Sequence, residues 1–311
     1  MTSDPVPSRA PGHSPGTIVN GLSVDIEDWF EIGPSGSTIS RDDWDGLNER
    51  VVANIDRLLD LFVEAGVDAT FFVQGGIARR RPDMIRRIVD AGHEIASHGF
   101  DHARIGSLDR AGFAEDIAAS RAILEDCSGQ KVTGYRAPSF SIDERTAWAF
   151  EELAEQGFTY SSSVAPVAHR HYGWAQAPRV PFRPLAGSTF VELPVNTAML
   201  RGQRMPAGGG GLFRALPYGL PRWGARQANR SEDRAAVFCL RPGEIDPDPP
   251  RFPNGQAPSR ARRRRSQLGL ASRLCDFVHE FCWGRMDALA EREATRAICF
   301  SGSMQPAIRA A

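Results

Sequence analysis

A mostly parallel α/β fold, closed as a barrel or wound as an open sheet, is what this sequence predicts. Three observations predict it. Short apolar segments rich in β-formers recur from Ile18 to Leu240, and amphipathic helical segments separate them. The polar candidates Asp25, His98, Arg136 and Ser161 all fall where a strand gives way to its following loop. That edge is where α/β folds build their sites.

Each element has a local reason. Ile18 to Val24 reads as a strand. Asn48 to Ala65 reads as a helix, with Val51, Ile55, Leu58, Leu59 and Phe62 at helical spacing and Gly66 as the stop. Ala69 to Val73 is a strand; Pro82 opens a helix with Met84, Ile85, Ile88 and Val89 on one face, ending at Gly92. His93 to Ser97 is the next strand, Ala111 to Glu125 a helix, and Gly134 to Arg136 a short strand. Asp143 is placed as the N-cap of a helix to Gln156, with Gly157 to Tyr160 leading into another strand. Phe190 to Leu193 and Ala236 to Leu240 are later strands, whereas Pro253 to Leu274 fits no regular element.

Bulk properties exclude several classes. The chain has 311 residues, 41% hydrophobic and 9% aromatic, enough for a sizeable core. A formal charge of −1 gives no global attraction to nucleic acid or an anionic membrane. No segment is apolar for long enough to span a bilayer. The first 17 residues lack a basic start and an apolar core, so no secretory signal is expected and a cytoplasmic location is. Five cysteines without a CxxC pair read as reduced thiols.

The chemistry concentrates in two runs. His98 and His102 are four apart in Ala-Ser-His-Gly-Phe-Asp-His, and Asp25-Ile26-Glu27-Asp28 ends an earlier apolar segment. Two such imidazoles can meet one cation, and a carboxylate from another strand end completes a three-ligand site with an open position for water. Loop histidines also lie this close without a ligand, so spacing alone leaves both readings open.

Taken together, Ser23-Val24-Asp25-Ile26-Glu27-Asp28-Trp29, Thr70-Phe71-Phe72-Val73, Gly92 to His102 and Gly134-Tyr135-Arg136-Ala137-Pro138-Ser139-Phe140 resemble the NodB-like polysaccharide deacetylases. Within that family the branch tied to exopolysaccharide and exosortase loci is the most similar. The resemblance covers about residues 18 to 250, after a flexible tail (1–17) and before a C-terminal extension (251–311), partly helical or irregular, with a weaker echo at Phe281 to Met286. It implies a deformed (β/α) barrel of about seven strands, a divalent metal (zinc or cobalt), and hydrolysis of the acetamide of an N-acetylated polysaccharide or oligosaccharide. Carried over, Asp25 is the base, His98 and His102 are metal ligands, and the acidic ligand is Glu27 or Asp28. Arg136 holds the base, and the backbone N–H near Ser139 serves the oxyanion. Trp29 and Phe140 are the expected substrate contacts.

Two positions depart from the family. Its late motif is an apolar strand followed by His-Pro, continued as Trp-Glu in this branch; here Leu240 is followed by Arg241-Pro242-Gly243-Glu244. Arginine keeps its proton at working pH, so Arg241 is assigned to substrate binding rather than acid catalysis. Ser161 stands where the branch has an aspartate. These changes keep two alternatives in play: a non-catalytic carbohydrate-binding relative, and a hydrolase of small cyclic amides. The basic run Arg262 to Arg265 reads as a solvated stretch, and Gly208 to Gly211 as a close approach to substrate or a tight turn. Trp29, Phe30 and Trp174 fit either sugar stacking or core packing.

Overall fold

Strands buried on both faces have no need to alternate apolar with polar residues, and the central strands here do not. β2 (Thr70–Val73) reads Thr-Phe-Phe-Val and is buried throughout, as are β3 (Glu94–Ser97) and β10 (Val237–Leu240). The structure is a computed structural model that describes residues 17–28, 49–169, 172–209, 219–248 and 270–300. The tail before residue 17, Trp29, Phe30, His171, Gly210, Gly211 and Arg260 to Arg265 lie outside the described residues.

Seven strands run parallel in the order β10, β1 (Val19–Ile26), β2, β3, β4 (Gly134–Tyr135), β5 (Tyr160–Ser161) and β7 (Val191–Glu192). β6 (Phe182–Arg183) adds antiparallel to β7 and carries β12 (Ile298–Cys299) at the edge. The register is continuous across the centre, with Ser23 opposite Thr70 and Cys239, and Thr70 opposite Glu94. Between β7 and β10 the ladder is replaced by residues 195–209, which include the hairpin of β8 (Thr197–Leu200) and β9 (Gln203–Pro206). Asn196 N–H donates to Val237 O (3.0 Å) and Cys239 N–H to Gly208 O (2.8 Å). A Cβ on Gly208 would meet Val237 O at 2.5 Å and Asn196 N at 2.6 Å, so this glycine admits chain against chain. The result is the deformed, incompletely laddered (β/α) barrel that the resemblance implied.

The helices follow their predicted faces. α1 (Val51–Ala65) buries Val51, Ile55, Leu58, Leu59 and Phe62 and stops at left-handed Gly66. α2 (Gly75–Arg80), which the sequence reading missed, precedes α3 (Pro82–Asp90), whose buried residues are the four predicted. α4 (Arg110–Ser128) is capped by Asp109, which accepts from Gly112 N at 2.8 Å. The helix expected from Asp143 begins later, as α5 (Ala149–Glu155). Asp143 and Thr146 close a local turn first: Arg145 N–H donates to Asp143 Oδ1, and Asp143 N–H to Thr146 Oγ1, each at 2.8 Å.

Residues 270–300 pack onto this sheet. α6 (Gly219–Arg226) precedes β10; α7 (Leu270–Glu280), β11 (Cys282–Gly284) and α8 (Met286–Glu293) follow it. β11 pairs with the start of β1, Val19 opposite Cys282, and Trp283 is 1% exposed among Phe238, Phe277 and Phe281. Among the described residues no helix is long and apolar enough to cross a membrane.

Candidate functional site

The site lies at the carboxyl ends of β1, β3, β4 and β10. Continuing ladder bonds carry the chain straight out of two strands: His98 N–H donates to Val73 O and Arg136 N–H to Ser97 O, both at 2.9 Å. His98 is therefore fixed by backbone before any side chain acts. Gly99 then turns the chain at φ +73°, where a Cβ would meet Asp116 Oδ2 at 2.9 Å. His102 is itself left-handed (φ +59°), a conformation uncommon outside glycine, and it returns the second imidazole to the first. The two rings are 5.3 Å apart.

Glu27 meets both imidazoles. Its Oε1 is 2.9 Å from His102 Nε2 and 3.3 Å from His98 Nε2, and the three side chains form the cluster able to hold a metal ion among the described residues. Asp28, the other acid left open by the sequence, points elsewhere. Its carboxylate accepts the N–H groups of Arg50 (3.1 Å) and Val51 (3.4 Å) and so caps α1. Adjacent residues on an extended chain face opposite ways, and that alternation separates the two acids.

The donor set fits a cation. His98 Nδ1 lies 2.8 Å from Arg136 O, which accepts only, so Nδ1 carries a proton and Nε2 is the ring atom turned to the Glu27 carboxylate. Two imidazole nitrogens and a carboxylate oxygen, all within 4.8 Å of one another, are a donor set suited to a divalent cation. Burial would raise the Glu27 carboxyl, but Arg241, His102 and His98 hold it well below the usual carboxylate range.

Beside the cluster, Asp25 is 3% exposed and its Oδ1 accepts from Arg136 Nη1 at 2.6 Å. Arg136 is fully buried and makes three further hydrogen bonds, to Ser23 Oγ (2.7 Å), Ser162 O (2.8 Å) and Ser162 Oγ (2.7 Å). Its guanidinium stands 4.1 Å above the Phe72 ring and 5.4 Å from that of Phe140. Arg136 thus joins both halves of the site, by its carbonyl to His98 and by its guanidinium to Asp25. Ser139 and Phe140 follow with φ +58° and +50°, and Phe140 N–H is committed to Ala137 O. The loops leaving His102 and Phe140 wall a cleft of about 520 Å³ whose lining includes Arg104, Ser107, Asp143, Arg145 and Trp148.

Arg241, the expected substrate contact, is paired with the cluster. Its Nε is 2.7 Å from Glu27 Oε2 and its side chain is 29% exposed. Glu27 raises the guanidinium above its already high range, so the charge is permanent. Trp174 is 4% exposed in the core, 5.4 Å from the Phe300 ring, and offers no platform. His169 is exposed and stacks on Tyr172 at 4.2 Å. Tyr172 in turn packs with Phe140 against Ala165, Val167, Val195 and Cys239.

The sequence reading missed the supports of the site: Ser23, Ser162, Ser163 and Glu192. Three consecutive hydroxyls at a strand end were the available signal. Ser163 Oγ accepts from Ala137 N (2.8 Å) and bonds to Ser161 Oγ (2.7 Å). Glu192 sits opposite Ser161 in the β5–β7 ladder and accepts the N–H groups of Ser163 and Val164, each at 2.8 Å. Burial pushes its carboxyl up to about 7, against the pull of the Ser161 hydroxyl, these two N–H groups and Arg136.

Comparison with known proteins agrees with this geometry. The polysaccharide deacetylase family model matches residues 38–160, and a domain of unknown function (DUF3473) matches 162–291. The peptidoglycan deacetylase of Helicobacter pylori is 31% identical over 149 residues, 47% of this chain and 49% of that protein. The chitooligosaccharide deacetylase of Sinorhizobium fredii is 40% identical over 82 residues, 26% of this chain and 38% of that one. The chain thus spans about half or less of these relatives. A crystal structure from Mycobacterium smegmatis, assigned to the polysaccharide deacetylases, shares the fold with a TM-score of 0.60 at 23% identity, covering 93% of this chain and 95% of that one. By its motifs and these matches, the chain carries a polysaccharide deacetylase domain of the NodB-like type, matched over residues 38–160.

Proposed function

We propose that the protein is a metal-dependent hydrolase that removes N-acetyl groups from a polysaccharide or its precursor. The observation that carries this reading is the double grip of Arg136, which places a buried carboxylate, Asp25, beside a two-histidine, one-carboxylate cluster. Glu27, His98 and His102 would hold a divalent cation such as zinc or cobalt. Bound there, the cation supplies Lewis-acid polarisation of the amide carbonyl and acidifies water.

The chain's own residues do the rest. Asp25, kept in place by the Arg136 guanidinium, accepts the proton of the attacking water. The backbone N–H of Ser139 is assigned to the developing oxyanion. As the new C–O bond forms and the C–N bond breaks, the proton held by Asp25 passes to the leaving nitrogen, giving acetate and an amine. Arg241 cannot share that task, because its proton is not released at working pH. One carboxyl serving as base and then acid forgoes a separate general acid, a contribution typically of about 10²- to 10⁴-fold. A slow deacetylase is the expected phenotype. The exopolysaccharide branch suggests a cell-surface polymer or its precursor as the source.

The second reading, a non-catalytic glycan-binding relative, is favoured by the placement of Arg241 against Glu27. Acetate release from N-acetylated oligosaccharides of chitin and peptidoglycan type separates the two, with zinc- or cobalt-loaded protein and Asp25→Asn as control. Release that vanishes in Asp25→Asn is expected. Saturable glycan binding without acetate, from folded and cation-loaded protein across the panel, would replace the first reading by the second.

A further inference from the structure

The two oxygens of Glu27 face different partners. Oε1 is turned to His102 Nε2 (2.9 Å) and His98 Nε2 (3.3 Å), while Oε2 is in ion-pair contact with Arg241 Nε (2.7 Å), close in charge but without hydrogen-bond alignment. Glu27 is 2% exposed, so it meets little water on either side.

Arg241 is held at this place by backbone. β10 pairs with β1 through Val24 and Leu240, which sets the next residue of β10 beside the end of β1 where Glu27 lies. Immediately beyond, Arg241 N–H donates to Glu244 Oε2 (3.1 Å) and Glu244 N–H to Arg241 O (3.0 Å), closing a single turn over Pro242–Glu244. The cation of the side chain is therefore delivered to Glu27 by the fold, and not by chance sampling of a long flexible arm.

Building on the metal-site reading above, we infer that Arg241 is a positioning residue that sets the cation affinity of the site: its guanidinium occupies one oxygen of Glu27, leaves a single oxygen for a metal ion, and keeps that affinity low. Two effects act together. A fixed positive charge beside the site repels a divalent cation and draws electron density from the shared carboxylate. The same charge also satisfies Glu27 when no metal is bound, so the metal-free protein lacks the unpaired buried carboxylate that would otherwise favour loading. The protein should hold its metal exchangeably.

The test is equilibrium binding of Co²⁺ and Zn²⁺, by calorimetry and by Co²⁺ absorption, on metal-stripped wild type and on Arg241→Met, Arg241→Gln and Arg241→Lys. Thermal melting in chelator monitors the fold. The neutral variants should bind at least about tenfold tighter than wild type, the size expected of one charge a few ångströms from a divalent ion even under water-like screening. Arg241→Lys, which keeps the charge, should stay near wild type. The neutral variants should also gain more thermal stability on adding Co²⁺ than wild type does, a response that loss of packing alone would not give. Equal affinities in wild type and both neutral variants would overturn the inference and leave the metal site standing. Failure of every protein to bind either ion would remove the site and the inference together.

Discussion

Removing the Arg136 guanidinium should unfold the site through the charge it leaves behind, and Arg136→Met is the variant that tests this. Methionine fills much of the volume against Phe72, so the change is mainly electrostatic. Four hydrogen bonds disappear, to Asp25, Ser23 and twice to Ser162. Asp25 is 3% exposed, so its carboxylate becomes a buried, unpaired charge. Breaking one side of such a pair costs about 3 to 5 kcal/mol. For a domain of this size that lowers Tm by roughly 10 °C. If the stranded charge is the cause, Asp25→Asn in the same background should restore at least about 2 kcal/mol, measured as the coupling of a double-mutant cycle. Denaturant unfolding of wild type, both single variants and the double variant at one pH gives that coupling. A value within about 0.5 kcal/mol of zero, the additivity of independent sites, would refute the reasoning. Arg136 would then act through shape and its hydroxyl and carbonyl partners alone.

Three further outcomes follow from the geometry. Glu27→Gln should abolish Zn²⁺ and Co²⁺ binding, whereas Asp28→Asn should preserve it at the wild-type level and lower stability by about 1 kcal/mol through the weakened cap of α1; calorimetry and thermal melting on both variants check the division. His93 is depressed to about 4 by burial, with Asp68 opposing and Arg285 adding to the shift, so its contribution is complete above pH 6.5 and is lost as pH falls from there towards 4. Its Nδ1 accepts from Ala69 N at 3.1 Å, a bond Asn can imitate, so unfolding of His93→Asn across this range should lack about 3 kcal/mol of the acid-side loss. Glu192, raised to about 7 by burial, has the opposite sign: its contribution is complete below pH 4.5 and is lost as pH rises through 7. Glu192→Gln should therefore be more stable than wild type near pH 8 by about 3 kcal/mol, and stability curves that run parallel would contradict the assignment.

What the sequence alone determined are the features written in local spacing. The α1 face of Val51, Ile55, Leu58, Leu59 and Phe62 follows from helical periodicity, and β2 from a run of β-formers, because each depends only on near neighbours. The strand-to-loop positions of Asp25, His98, His102 and Arg136 were legible for the same reason: ladder and turn chemistry are local, and four short motifs in order fixed the family. The tertiary structure decided what required distant partners. It chose Glu27 over Asp28 for the histidine cluster, since which of two adjacent acids faces the loop after β3 depends on how β1 is set in the sheet beside β2. It paired Arg241 with Glu27 across the β10–β1 junction. It buried Trp174, and it brought β11 back to β1, with Asn20 Nδ2 donating to Cys282 O 262 residues away. No local pattern encodes such closures, because their free energy comes from burial and pairing that exist only once the barrel has formed.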